Sequence, residues 1–386
     1  MAHQLFVPTF DTKSVLAQIK ECLDKGWTGA GFKTDQFEKS WGLYSGHKHS
    51  LFLNSCTAAL HLALESLRSY YNWSDDDEVI VPGITFVSTA HAVLHAGLKL
   101  RISDVNVTSV NISVEHIAPL INSRTLCIVF VGLGGNIEGL PEVDEFCASN
   151  GLQLVVDAAH MAGSRQSETC IDPSKPPNSN IAFTCFSFQA VKNLPTGDSG
   201  MLCSDREELI DIARKLSWLG IDKDTYSRIN DRGTYKWEYD VANLGYKYNG
   251  NSIMAAIALA QLPYLDRDNA YRRTLFDWYS QCLHGSQIRM IKHSNQSQTS
   301  QHLIQARLKN RNEVMVALNT HEIYPGVHYK SLKYFTFFRD HQDQSPNANS
   351  LSKELVSLPC HMHVTRADVE FISSALLQAC SRWTND

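Results

Sequence analysis

Between residues 49 and 205 the chain repeats one pattern: a strand-length apolar run, a polar break, then a stretch with helical periodicity. The runs fall at 49–55, 78–83, 99–105, 125–132, 152–159, 181–188 and 199–204, each bounded by Gly, Pro, Asn or Asp. Most are apolar throughout rather than alternating, as expected of strands covered by helices on both faces. Helical patterns occupy 58–68, 89–96 and 141–149 between them. Together they predict an α/β domain built on a mainly parallel seven-stranded sheet.

Beyond residue 206 the pattern changes. Residues 206–218 and 253–282 read as helices, the second interrupted at Pro263 and linking two parts of the chain. A weaker α+β pattern follows from 285, and the polar stretches 294–301 and 342–350 read as loops. The expected organisation is a large domain over 1–262 and a smaller C-terminal α+β domain, with the linking helix, over 263–386.

Composition narrows the function classes. The 386 residues carry 35 Lys+Arg against 40 Asp+Glu, and 43% are hydrophobic, an ordinary globular balance with no basic stripe for a nucleic-acid backbone. No run approaches the ~18 apolar residues of a membrane span. The first residues lack a signal peptide's charged and apolar regions, so the cytoplasm is the expected compartment. Ten cysteines show no paired spacing, and Cys127, Cys185 and Cys203 lie inside apolar runs, which favours buried reduced thiols.

Three segments carry chemistry. In Asn54-Ser55-Cys56-Thr57-Ala58-Ala59-Leu60 a strand ends and an Ala/Leu-rich helix begins at once, with Ser55 as its cap. The free N–H groups of such a helix start bind anions. In Asp157-Ala158-Ala159-His160 a carboxylate stands at the C-terminal end of a buried strand, where open α/β sheets bind ligands. Lys192 follows the 181–188 strand and precedes the turn Thr196-Gly197-Asp198-Ser199-Gly200, a place where desolvation makes an amine nucleophilic. Each has a bland alternative, namely an ordinary N-cap, a turn-capping Asp and a surface lysine. Their company in one sheet points to pyridoxal phosphate (PLP), which needs an anion cradle, an acid for its pyridinium nitrogen and a lysine for its aldehyde.

With these residues in view, the chain resembles the DegT/DnrJ/EryC1/StrS family of sugar aminotransferases, built on the fold type I (aspartate-aminotransferase-like) scaffold. Gly26-Trp27-Thr28-Gly29 with Phe37-Glu38 looks like the family's opening loop. Ser55 through Leu60 is similar to its SGTAAL turn, with Cys56 in place of glycine. Asp77 through Pro82 and Thr85-Phe86-Val87 match EVIVP…TFV, and Asp157 through His160 match D-A-A-[HQ]. Ser187-Phe188-Gln189 with Lys192-Asn193 matches SF…K-N. Gly245-Tyr246-Lys247-Tyr248-Asn249, Ala255-Ala256, Gln261-Leu262, Val327-His328-Tyr329 and Leu358-Pro359 resemble its later landmarks.

The resemblance implies roles. Lys192 would hold the cofactor's aldehyde carbon and then shuttle a proton between it and the substrate. Asp157 would pair with the pyridinium nitrogen, His160 would lie near the ring oxygen, and Phe86 would stack on the ring. Cys56, Thr57 and Ser187 would hold the phosphate. Lys247 stands where relatives place an Asn that reaches the neighbouring subunit's phosphate, implying a homodimer with shared sites. His328 and Tyr329, with 28–33, would border the substrate. The activity implied is transfer of an amino group from an amino acid, glutamate in the family, to a nucleotide-linked keto-sugar for amino-sugar or polysaccharide biosynthesis. Related dehydratases replace the lysine with histidine, so Lys192 favours transamination over a lyase, and a non-catalytic PLP-binding regulator is the other alternative. Gly132-Leu133-Gly134-Gly135 fails the dinucleotide G-x-G-x-x-G spacing and reads as a tight turn, while Cys360-His361-Met362-His363 lacks distant partners for a metal.

Overall fold

The computed structural model describes residues 2–165, 179–221, 239–293, 299–339, 341 and 345–382. All seven expected strands form: β1 His49–Leu53, β2 Glu78–Pro82, β3 Lys99–Ser103, β4 Thr125–Val131, β5 Gln153–Asp157, β6 Ile181–Ser187 and β7 Gly200–Ser204. They make one sheet in the order β1-β7-β6-β5-β4-β2-β3. β2 through β6 run parallel, and β7 is antiparallel to both β6 and β1.

The unbroken apolar runs have a direct structural reason. In β5, Leu154 and Val156 enter one core while Val155 enters the other; in β4, Ile128 and Phe130 face one side and Cys127 and Val129 the opposite. A strand's side chains alternate between faces, so apolar cores on both sides demand apolar residues at every position. Cys127 and Cys185 are fully buried there, and no disulfide joins the described cysteines.

Helix Ser252–Gln261 passes through a short 3-10 turn, Leu262–Tyr264, into helix Leu265–Cys282, so the interruption falls at Pro263. A second, three-stranded antiparallel sheet follows: β8 Arg289–Met290, β9 Ile304–Arg307 and β10 Leu355–Leu358, in the order β10-β9-β8. It packs with Leu275, Phe276, Val314, Ile372 and Leu376 into a third apolar cluster. The chain's first residues join this part: the Cys360 N–H donates to the Leu5 carbonyl at 3.1 Å.

One polar stretch differs from expectation. Residues 346–350, expected in a loop, open the helix Pro346–Glu354, while 342–344 lie outside the described residues. The cause is remote: the Asp104 carboxylate accepts from the N–H groups of Asn347 at 2.9 Å and Ala348 at 2.8 Å, and Ala348 and Leu351 sink into the main core. Of 294–301, the described end, Thr299, Ser300 and Gln301, is irregular as expected, and it is fully buried.

Candidate active site

The chain folds its chemistry to one edge of the sheet, at the C-terminal ends of the parallel strands. β5 ends on Asp157 and β6 on Ser187; the turn after β6 carries Lys192, whose N–H donates to the Gln189 carbonyl at 2.8 Å. From β1 the chain enters helix Cys56–Tyr71 through Ser55, whose hydroxyl accepts from the Ala58 N–H at 3.1 Å. Gly200, opposite Ser187 in the register, lets β7 lie against this helix start. A Cβ there would stand 2.5 Å from the Cys56 nitrogen.

These elements enclose a cavity of about 440 Å³ whose wall includes Cys56, Thr57, Phe86, Asp157, His160, Ser187, Lys192, His328 and Tyr329. Nine of the ten expected site residues therefore converge. The tenth, Lys247, lies elsewhere, with its Nζ 3.1 Å from the centre of the Trp218 ring. Lys33, in the expected 28–33 border, is buried and donates to Gln18 and to Glu21 at 2.6 Å, which makes it a structural cation.

Burial sets the charges. It pushes the Asp157 carboxyl above the usual range, opposed by the Thr89 hydroxyl donating at 2.7 Å, the Ala159 N–H donating at 3.1 Å and the Lys192 charge. Lys192 opens onto the cavity, and the surrounding protein lowers its amine from 10.5 to about 8, against the opposing pull of Cys56 and Asp157. Burial, then the Lys192 charge, lowers His328 to about 4 and holds His160 well below the usual imidazole range. Burial likewise keeps the Cys56 thiol protonated.

The Gly134 N–H donates to His160 Nδ1 at 3.2 Å. A neutral imidazole has one N–H, so His160 carries it on Nε2 and donates to the Tyr329 hydroxyl at 3.1 Å. Gly134 has φ +68°, which glycine adopts freely, so the glycine turn after β4 is what aims this amide.

Sequence motifs missed Thr89 and His302. Thr89 had a signal, since it lies four residues after Thr85 at helical spacing and their hydroxyls meet at 2.7 Å. His302, also in the cavity wall, had none, because its partner Asn193 is 109 residues away.

Across residues 10–377 the sequence matches the DegT/DnrJ/EryC1/StrS aminotransferase family. The chain belongs to this family. The spore coat polysaccharide biosynthesis protein SpsC of Bacillus subtilis is 30% identical over 376 residues, covering 94% of each chain. The aminotransferase TlmJ of Streptoalloteichus hindustanus superposes with a TM-score of 0.86 at 26% identity over 100% of both chains. Spr1654 of Streptococcus pneumoniae, provisionally assigned as a sugar aminotransferase and solved in a PMP form, gives 0.85 at 25% identity over 98% of this chain and 99% of its own.

The family consists of PLP-dependent sugar aminotransferases on the fold type I scaffold, and the cavity suits that cofactor. Asp157 is a buried acid with only hydroxyl and amide donors and no ion pair among the described residues, a position completed by a cationic ring N–H. Gly200 leaves the helix-start amides close to β7, and Phe86 keeps 54% of its surface open. No helix among the described residues is long and apolar enough to cross a membrane.

Proposed function

We propose that this protein transfers the amino group of glutamate to a nucleotide-linked keto-sugar, using PLP held in the cavity above Lys192. The observation that carries the reading is the convergence of a helix start, a buried carboxylate and a partly desolvated lysine on one cavity. When bound, PLP supplies an electron sink that lets the carbon bearing the amine release a proton.

The chain's own groups then divide the work. The Cys56 and Thr57 amides at the helix start, with the Ser187 hydroxyl, take the phosphate. Asp157, held by Thr89, accepts the ring N–H and keeps that nitrogen cationic. The His160 Nε2–H, which donates to the Tyr329 hydroxyl, would turn to the ring oxygen, and Phe86 would cover the ring face. Lys192 would hold the cofactor's aldehyde carbon. Its free amine would take and return a proton at the substrate carbon, a task suited to a base lowered to about 8. His328 and Tyr329 border the substrate.

Lys247 belongs to the phosphate site of a second copy in this reading. It lies outside its own chain's cavity, on a stretch that exposes Val241 and Leu244, the latter 90% open, an apolar surface suited to burial in a homodimer. In this reading the reaction is cytoplasmic. The test incubates the PLP-loaded protein with glutamate and a panel of nucleotide-linked 3- and 4-keto-sugars, read by mass spectrometry. An amino-sugar product with 2-oxoglutarate supports the reading. Release of a dehydrated sugar, or no product across the panel, refutes it.

A further inference from the structure

His302 lies in the cavity wall without belonging to the motifs that marked the site. It stacks on Phe6, with ring centres 5.2 Å apart and 11° between planes, and meets His160 at 4.4 Å. Its Nδ1 is 2.6 Å from Asn193 Oδ1. Two backbone carbonyls decide where the hydrogens are. Asn193 Nδ2 lies 2.9 Å from the Ser300 carbonyl, which only accepts, so that corner of the amide is the NH2 group. Its other contact, Asn269 Oδ1 at 2.6 Å, is an oxygen because the Asn269 Nδ2 donates to the Ala162 carbonyl at 2.9 Å. The remaining corner of Asn193 is therefore an acceptor, and His302 Nδ1 must carry the hydrogen that it receives.

Burial, then the charges of Lys192 and Arg272, holds His302 well below the usual imidazole range, so the ring is neutral. Its Nε2 is then a bare lone pair, without a hydrogen-bond partner among the described residues, on a residue of the cavity wall. His160 is wired in the opposite sense, presenting Nε2–H.

We propose that His302 Nε2 accepts a hydrogen bond from a hydroxyl next to the substrate's ketone, making His302 a specificity-determining residue. The inference rests on the keto-sugar reading above. His302 Nε2 is not one of the sealed-in polar atoms without a partner, so its lone pair opens to the cavity, where a neighbouring hydroxyl can donate to it. The ring lines the same cavity as Lys192, whose charge bears on it, so a ligand reacting at Lys192 lies within one enclosure with Nε2. A ketone flanked by a carboxylate, such as 2-oxoglutarate, has no donor to offer at neutral pH. A site built around a hydroxyl discriminates strongly against ligands that lack it.

Two measurements test this. Nitrogen-15 correlation spectra of histidine-labelled protein without cofactor should show His302 with Nδ1 protonated and Nε2 bare. The reverse tautomer or an imidazolium would overturn the inference. His302→Asn keeps a side-chain N–H toward Asn193 and removes Nε2. In the cofactor-aminated protein, kcat/KM for the keto-sugar aminated fastest by the parent should fall roughly tenfold to a hundredfold further than kcat/KM for 2-oxoglutarate. Equal losses with both ketones would overturn this inference alone. A parent protein that exchanges glutamate yet aminates no keto-sugar would overturn the substrate reading, and this inference with it.

Discussion

Burial disfavours the charged forms of both Asp157 and Lys192. Burial raises the folded-state pKa of Asp157, so its stability contribution is fully present below the ordinary carboxylate range and is lost as pH rises through the raised value. At neutral pH the cofactor-free protein bears this cost. Asp157→Asn should therefore raise the apo melting temperature by roughly a few degrees in calorimetry. The same variant should slow the glutamate half-reaction by at least roughly a hundredfold, because a neutral amide cannot keep the ring nitrogen cationic. A near-normal rate would remove Asp157 from that role. Lys192 shows the opposite sign: its amine is lowered to about 8, so the stability it contributes is present above 10.5 and is lost as pH falls through 8. The rate at which the apo protein takes up PLP should rise with pH through a midpoint near 8, and a midpoint near that of ordinary lysine would contradict the desolvated site.

At the scale of elements, the helix start depends on a missing side chain. A Cβ on Gly200 would meet the Cys56 nitrogen and the Ser55 carbonyl carbon at 2.5 Å, and both are backbone atoms that a rotamer change cannot move. Gly200→Ala should push β7 from the helix start, lowering PLP affinity at least roughly tenfold by absorbance titration and the apo melting temperature by several degrees. The strands that frame this site were legible because two apolar cores force unbroken apolar runs, and Ser55 was legible because capping is local. Helix Pro346–Glu354 was not: its cap is Asp104, far away in sequence, so the polar composition of 346–350 read as a loop. The same reason hid His302, whose tautomer is set through Asn193, Asn269 and the carbonyls of Ser300 and Ala162. Motifs reveal residues that act through their own chain neighbours. They do not reveal hydrogen bonds closed across a fold.

In the whole molecule, parallel β2 through β6 send their C-terminal ends to one edge, while antiparallel β7 returns beside β1 to bring Gly200 to the helix start. That arrangement gathers most of the site within a single chain and leaves Lys247 outside it. If Lys247 serves a second copy, Lys192→Ala and Lys247→Ala chains damage complementary halves of the shared sites. Co-expressed and purified as a mixed dimer, they should recover one intact site per dimer and far more activity than either variant alone, provided that Lys247→Ala is itself strongly impaired. No recovery would place Lys247 outside the shared site. The most direct test of the central claim is borohydride reduction of the PLP-loaded protein followed by peptide mapping. The label should fall on Lys192 and vanish in Lys192→Ala; labelling of another lysine that persists in the variant would contradict the site described here.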